Sequence, residues 1–510
     1  MRSRNAIKNL VCLLIYEALA FVLGIIFPRY IILFYGSEIN GLTSTITRIL
    51  SLINLIQAGA VGAAIFQMYK PVADEDFETQ SAIIYSSRKF YNKVSIIYFV
   101  CAIGAGIFYS FYLKSERLSF LNIFLSFVIL ALNGTNVLLF NSICDIFISP
   151  HQKKYYLSIA AICEQIVRYS TLTIVLLLKL PFVFIYVSYL TGGIISVLMN
   201  ILIYRKLSKG KISKNPKDKK YVIKDRKYLM LSSIGAEAVT ASPTIIITTF
   251  IDLIHSSIFS VYALIFTSMK TILSSIQLSF SSIFGNLVKT SDDDRIYTVH
   301  SAIELITIFL GTLAASCVGF LILPFIALYT RGADVSYIYV SLGIFVVAYT
   351  LIFAFGATFG YVATVYGLFK DICIIVLVFG SLGIIISILC AIYFGMPFVM
   401  VGLIINQLGC AIANLIIIKK KVSWFKTTRL LIRTTIMVLL TSLSTALYFI
   451  INPIINSWFE WILSAFIVAV SISFLLFIYC VLFERKYLRL LISYLHNVFT
   501  RNKKQRTINK

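Results

Sequence analysis

Residues 10–34 read LVCLLIYEALAFVLGIIFPRYIILF, an apolar run in which the charged positions are Glu17 and Arg29. Coiled as an α-helix, this run would rise roughly 37 Å, which is more than the hydrocarbon thickness of about 30 Å of a bilayer. The apolar stretch continues well past Ala18-Leu19-Ala20, the point where a secretory signal would be cleaved. It therefore predicts a retained transmembrane helix.

Similar runs recur along the whole chain. The 510 residues are 59% hydrophobic and 13% charged, whereas soluble proteins carry about 25% charged residues. This composition excludes a soluble enzyme, a fibre and a disordered protein. We predict an all-α integral membrane protein with about fourteen transmembrane helices, near residues 10–34, 41–66, 92–113, 119–148, 155–178, 181–204, 228–251, 257–286, 300–328, 335–366, 371–393, 397–418, 430–451 and 458–483.

Basic residues are unevenly distributed between the two sides of these runs. The chain has 45 Lys and Arg against 21 Asp and Glu, a balance that would suggest nucleic acid in a soluble protein. With the N-terminus inside, 37 of the 45 lie in or beside inner segments and about 5 in outer ones. Because positive residues accumulate on the cytoplasmic side, we expect both termini to be cytoplasmic and no nucleic acid to bind.

The longest inner loop divides the helices into two groups. We expect an N-terminal six-helix lobe at 1–204, a basic linker at 205–227 and a second six-helix lobe at 228–418. Two further helices occupy 419–483, and a basic cytoplasmic tail occupies 484–510. The equal halves suggest a pseudo-two-fold repeat, which is common in transporters.

Charged residues align between the two halves. Glu17 in the first helix matches Glu237 in the seventh, and Arg48 in the second matches Lys270 in the eighth. Ionisable groups cost at least about 2.5–3.5 kcal/mol at membrane depth, so they face a partner or a wet cavity. One interpretation is that Arg48 and Lys270 point into a central cavity and hold an anionic group such as a phosphate. The alternatives are that the acids pair with these bases or carry protons.

Two further charged positions and two prolines complete the candidates. Glu164 and Arg168 are four residues apart, which predicts a local ion pair. Pro28, just before Arg29, and Pro243 would remove helix hydrogen bonds and favour bends suited to gating.

The motifs of soluble enzymes are missing from the sequence. It contains no G-x-x-x-x-G-K-[ST] loop, its four histidines are isolated, and its nine cysteines form no CxxC pair. We therefore expect no catalytic residue, no metal and no cofactor.

One stretch carries a family resemblance. Residues 28–76, PRYIILFYGSEINGLTSTITRILSLINLIQAGAVGAAIFQMYKPVADED, hold a Gly-x-Glu-x-x-Gly-like turn at Gly36–Gly41 and a basic–Pro loop at Tyr69-Lys70-Pro71. With the inner segment Ser149–Tyr155, they resemble Wzx-type polysaccharide flippases of the multidrug/oligosaccharidyl-lipid/polysaccharide exporter superfamily. The shared layout covers nearly the whole chain, but the specific residues concentrate in its first third.

The resemblance implies a function. Two lobes around a cavity would move an undecaprenyl-diphosphate-linked oligosaccharide from the inner to the outer leaflet by alternating access, without ATP. The product would feed surface polysaccharide such as lipopolysaccharide O-antigen, capsule or exopolysaccharide. Arg48 and Lys270, then Arg29 and Arg168, are the positions that would hold the diphosphate.

The same resemblance implies a setting and partners. The chain would lie in the bacterial cytoplasmic membrane, among membrane lipids, and the polysaccharide polymerase and chain-length proteins of the same pathway would be its protein partners. The alternatives are a multidrug or cation antiporter and a lipid II flippase of the same superfamily. A membrane polysaccharide polymerase is disfavoured because no long outer loop is present, and a purely structural scaffold leaves the buried charges unexplained.

Overall fold

The structure, a computed structural model, describes residues 2–57, 60–113, 115, 118–208, 212–213, 216, 227–491 and 493. Every regular element in these residues is helical, with no β-strand. Most of the basic linker expected at 205–227 and of the tail expected at 484–510 lies outside the described residues.

The helices follow one another with short connections. In chain order they are α1 Arg2–Tyr35, α2 Ser37–Ile53, α3 Ala60–Ala73, α4 Phe77–Tyr112, α5 Phe120–Asn136, α6 Ser142–Ile148, α7 Tyr155–Leu177, α8 Val183–Ser208, α9 Lys227–Phe250, α10 Leu253–Thr290, α11 Asp293–Tyr329, α12 Val340–Ala357, α13 Gly360–Val365, α14 Phe369–Tyr393, α15 Val399–Lys421, α16 Thr428–Ile451 and α17 Trp458–Phe483.

Fourteen segments of the described chain are long and apolar enough to cross a membrane, and each coincides with one of the runs expected from the sequence. Large apolar side chains such as Phe111, Ile450 and Phe459 are exposed rather than packed inside the protein. Such a surface is stable only against hydrocarbon. The all-α membrane fold with fourteen spans is confirmed.

Three of the expected runs are interrupted. The run 119–148 ends as an α-helix at Asn136, passes through a π-helical turn over Val137–Asn141 and resumes at Ser142. The run 41–66 ends as an α-helix at Ile53, continues as a 3₁₀ turn over Asn54–Gln57 and resumes at Ala60. Polar side chains bonded to each other within the turn compete with regular helix there. The run 335–366 divides into α12 and α13, where the Thr358 hydroxyl donates to the Phe355 carbonyl (2.7 Å) at the end of α12.

The chain forms two compact units. The first comprises Met1–Ser257 with Gly332–Val335, and the second comprises Ile258–Arg331 with Ser336–Lys510. Helix α9 thus packs within the first unit, against α2. The two six-helix lobes, their linker, the two added helices and the repeat between the lobes remain predictions from the sequence.

In the first unit, glycines of the Gly-x-Glu-x-x-Gly-like turn have separate structural roles. Gly36 precedes α2 with φ +89°, a conformation that favours glycine. Asp334 caps the helix that follows, accepting a hydrogen bond from the Ser37 amide at 3.1 Å. Gly41 lies where the Leu253 carbonyl approaches α2, and a Cβ there would overlap that oxygen.

The same face of α2 carries buried polar side chains. Asn40 donates to the Ser257 hydroxyl (2.7 Å), and the Thr45 hydroxyl bonds those of Thr248 (2.5 Å) and Ser256 (3.2 Å). Small residues allow backbones to approach closely, and their hydroxyls add hydrogen bonds in place of a hydrophobic driving force. This contact fixes α2 against the α9–α10 corner.

The second unit is built around α11. Its core joins apolar residues of α10, α11, α12, α13, α15 and α16 with the loop residues Val422, Trp424 and Phe425. A smaller cluster packs α11 against the end of α17 through Ala302, Leu305, Cys480 and Tyr487. The two C-terminal helices are therefore integral to this unit.

We predict that Gly41→Ala destabilises the protein. The added Cβ meets backbone, and overpacking of this kind costs about 1–3 kcal/mol or more. The midpoint of thermal unfolding of the purified protein in detergent should fall. Gly104→Ala, on α4 with open space around the new Cβ, is the matched control and should unfold at the same or a higher temperature. Equal midpoints for both variants would contradict this packing account.

Candidate functional site

A polar cleft lies in the first unit at the break after α2. It has a volume of about 430 Å³ and is lined by Ser51, Asn54, Leu55, Gln57, Val61, Ser233 and Glu237. Five of the seven lining side chains are polar, which is unusual beside a membrane span. The break, α3 and α9 together form its walls.

The local sequence explains the break. The Gln57 amide nitrogen donates to the Asn54 side-chain oxygen (2.8 Å), and Gln57 Oε1 is buried without a hydrogen-bond partner in the described structure. Interrupted helices in membrane proteins are tolerated where they line a cavity, and they often form substrate sites. The cleft therefore has a polar rim, and the break beside it holds a buried acceptor with no hydrogen-bond partner in the described structure.

Arg48 is the cation of this region. It is half-buried on α2, one turn before Ser51, whose hydroxyl donates to the Arg48 carbonyl (2.8 Å). Glu237 on α9 is the acid whose charge acts on the guanidinium. Among the described residues no direct ion pair or side-chain hydrogen bond engages that guanidinium. The donors of the guanidinium therefore lie in the field of an acid but are not saturated.

Glu17, the proposed counterpart of Glu237, lies on the exposed side of α1. Lys270 is half-buried on α10 and belongs to the second unit, whereas Arg48 belongs to the first. Their joint role as an anion clamp, and the repeat that pairs them, remain predictions.

The arrangement around Arg168 differs from the sequence prediction. Its guanidinium lies 4.6 Å from the Tyr169 ring centre and 4.5 Å from that of Tyr189, and it donates to the Tyr169 hydroxyl (2.7 Å). The described structure has no ion pair between Glu164 and Arg168, so that prediction is wrong. The cause is the close approach of α7 and α8 at Gly192. A Cβ added to Gly192 would lie only 2.8 Å from the Cβ of Arg168. The neighbouring helix thus supplies a cation–π partner in place of the acid.

The remaining candidates lie within continuous helices. Arg29 is half-buried and follows Pro28 inside α1, and Pro243 lies inside α9. Both helices continue past their prolines. A gating role for the two prolines remains a prediction.

Comparisons with known proteins bear on the fold. No protein-family model and no curated protein sequence matches this chain. Solved structures do match. A multidrug resistance MATE family transporter of the MOP superfamily, in an inward-facing conformation, has a TM-score of 0.63 at 12% identity, covering 81% of this chain and 100% of its own.

A second match is the lipid II flippase MurJ in an inward closed conformation, with a TM-score of 0.65 at 14% identity, covering 92% of this chain and 98% of its own. A MATE transporter in a bent conformation has a TM-score of 0.50 at 12% identity, and the match covers 87% of this chain and 96% of that structure. The chain has the fold of the MOP transporters. At these identities the likeness concerns the fold alone.

Sequence reasoning missed one group of buried charges, which lies in the second unit of this MOP fold. Arg433 is one of the 37 basic residues assigned from the sequence to positions in or beside inner segments, yet its side chain is fully buried between Glu304 and Glu484. His300 adjoins Glu304. The available signal was the i, i+4 pair of His300 and Glu304 inside an apolar run, but their partners are more than a hundred residues away in sequence. No group of metal-ligating residues occurs in the described chain.

The cleft predicts a pattern of chemical accessibility. In a variant whose nine cysteines are replaced by alanine, Asn54→Cys should react quickly with a water-soluble maleimide because the side chain is exposed at the cleft. Thr45→Cys, on the buried face of the same helix, should react at least tenfold more slowly, by an order-of-magnitude estimate from burial. Equal rates in the folded protein would show that the break does not open onto water.

Proposed function

We propose that this chain is a flippase for undecaprenyl-diphosphate-linked oligosaccharide, which it moves from the inner to the outer leaflet for surface polysaccharide assembly. The observation that carries the proposal is Arg48, a half-buried cation with unsaturated donors beside a polar cleft at a helix break. A guanidinium binds phosphate oxygens through two parallel hydrogen bonds, which makes it suited to a diphosphate.

The polar cleft beside Arg48 and the apolar outer surface of the helices suit different parts of this substrate. Asn54, Gln57 and Ser233 offer amide and hydroxyl groups, which can exchange hydrogen bonds with sugar hydroxyls. The apolar outer surface of the helices suits a polyprenyl tail that stays in the bilayer.

Glu237 gives the site a means of release. In the empty protein its charge offsets that of Arg48 across the α2–α9 contact. A diphosphate would compete with Glu237 for the guanidinium, so binding stays reversible. Exchange between two binding states is what alternating access requires, since a ligand shifts a conformational equilibrium only through its different affinity for the two states.

The MOP fold supports membrane transport rather than an enzymatic role, and the likeness to a lipid II flippase over 92% of the chain supports a lipid-linked substrate. We place the chain in the bacterial cytoplasmic membrane with both termini inside, as the basic residues indicate. Lys270, Arg29 and Arg168 are proposed as further contacts of the substrate path, and polymerase and chain-length proteins as partners.

A multidrug or cation exporter is the second candidate, and one observation favours it. Glu237 lines the cleft, and an acid is the group that a cationic drug requires. If this alternative holds, Glu237→Gln should abolish efflux of a cationic dye that the wild-type protein exports. Under our proposal the wild-type protein exports no such dye.

Substitution of Arg48 tests the proposal. Arg48→Gln removes a charge-assisted hydrogen bond worth about 1.5–3 kcal/mol, so we expect a roughly tenfold to hundredfold loss of flipping rate. Arg48→Lys keeps the charge but lacks the paired donors, so its flipping rate should lie between those of the wild type and Arg48→Gln. The measurement is translocation of a fluorescent polyprenyl-diphosphate oligosaccharide in proteoliposomes.

The control is Lys421→Gln, which removes an exposed base paired with Asp371 outside the cleft and should leave the rate unchanged. Thermal unfolding of each variant separates loss of function from loss of fold. A folded Arg48→Gln protein that flips at the wild-type rate would rule out the anion-binding role of Arg48.

A further inference from the structure

The buried charges of the second unit form a connected cluster, called here the Arg433 cluster. It comprises His300 and Glu304 on α11, Arg433 on α16 and Glu484, which directly follows α17, with Arg429 at its edge. The proposed transport of a lipid-linked substrate makes no use of it. Charges buried so fully are costly unless every one is compensated.

Arg433 makes four hydrogen bonds through its guanidinium. Its Nε and Nη2 atoms donate to the two carboxylate oxygens of Glu484, each at 2.9 Å, and Nη1 donates to the Ser301 carbonyl (2.8 Å) and to Glu304 Oε1 (2.9 Å). The guanidinium has no exposed surface. The arrangement connects α11 to both C-terminal helices.

The charges of the cluster do not balance in the interior. Arg433 contributes one positive charge, whereas Glu304 and Glu484 contribute two negative charges. Arg429 also approaches Glu484, at 3.2 Å, but its side chain is 45% exposed, so water screens much of its charge. The buried part of the cluster therefore carries one excess negative charge when His300 is neutral.

The position of the missing positive charge is marked by two atoms that face each other. Glu304 Oε2 lies 3.6 Å from His300 Nε2, and Nε2 has no hydrogen-bond partner in the described structure. The other ring nitrogen, Nδ1, is bonded to the Tyr361 hydroxyl at 2.6 Å. His300 is 1% exposed and Glu304 is 2% exposed. A buried imidazole nitrogen without a partner, directed at a carboxylate, is a place for a proton.

The other groups around this pair cannot supply the charge. Tyr361 on α13 is already bonded to Nδ1, and Tyr479 on α17 donates to Glu484 at 3.3 Å. Tyr487 presents its ring to Arg429 and Arg433. The remaining ring contacts of His300 are aromatic, from Phe284, Tyr361, Trp424 and Phe425.

We propose that His300 and Glu304 together bind one proton, held between His300 Nε2 and Glu304 Oε2. The proton comes from water and returns to it, so binding forms one N–H or O–H bond within the pair, release breaks that bond, and no other bond of the protein changes. Bound, it neutralises the excess charge and leaves Arg433 paired with both acids. Released, it leaves Glu304 facing an unprotonated ring or an unsatisfied N–H. Binding of the proton thus strengthens the contact of α11 with α16 and with the end of α17, and its release weakens that contact.

Infrared difference spectroscopy of the full-length protein in lipid tests this site directly, because it detects protonated carboxyl and imidazolium groups without requiring transport. Spectra would be compared between about pH 5 and about pH 9, the range in which histidine titrates. We expect a protonation band in the wild type that is lost in Glu304→Gln and is lost or displaced along the pH axis in His300→Gln.

His300→Gln leaves all four hydrogen bonds of Arg433 in place, so it provides a test even if Glu304→Gln fails to fold. The control is His255→Gln, which alters a half-exposed histidine–aspartate pair in the first unit, with Nδ1 2.8 Å from Asp252 Oδ2. That variant should keep the band. A wild-type spectrum with no such band, or a band unchanged in His300→Gln, would overturn the proposal whatever the transport assays show.

Discussion

The hydrocarbon core of a bilayer has no water with which to satisfy a polar group, and this constraint accounts for the surroundings of three buried or half-buried arginines in the described residues. Three arginines meet it in three ways. Arg433 is enclosed by two carboxylates and a carbonyl, and Arg168 is held between two tyrosine rings. Arg48 interacts electrostatically with Glu237 but makes no ion pair or hydrogen bond with it in the described structure. Arg433 is structural in character, whereas Arg168, whose Nε has no hydrogen-bond partner in the described structure, and Arg48 both retain unused hydrogen-bonding capacity.

The helix break gives this unused capacity a location. A continuous α2 would have satisfied its own backbone and presented a closed surface, whereas the 3₁₀ turn at Asn54–Gln57 opens a polar cleft beside Arg48. The tight contact of Gly41 with the Leu253 carbonyl and the cap from Asp334 hold the other end of α2 firmly. One end of α2 is therefore fixed by close packing and a cap, whereas its other end borders the polar cleft.

Hydropathy predicted all fourteen spans because crossing the bilayer is a local property of about 20 consecutive residues. What it did not predict depends on neighbours in space. The ion pair of Glu164 with Arg168 does not form in the described structure, where Gly192 allows α8 to approach and the guanidinium lies 4.5 Å from the ring centre of Tyr189 on that helix. The Arg433 cluster was missed because its members come from helices far apart in sequence. Breaks within apolar runs were missed because side-chain hydrogen bonds do not change hydropathy.

Native mass spectrometry of the purified protein released from detergent tests the central claim, that Arg48 and its cleft recognise a diphosphate lipid. The wild-type protein should retain a polyprenyl-diphosphate-linked oligosaccharide in preference to the corresponding monophosphate, and a hydrophobic cation should not displace it. Paired donation from a guanidinium to two phosphate groups accounts for that order of preference. Equal retention of diphosphate and monophosphate lipids, or displacement by the cation, would contradict the account.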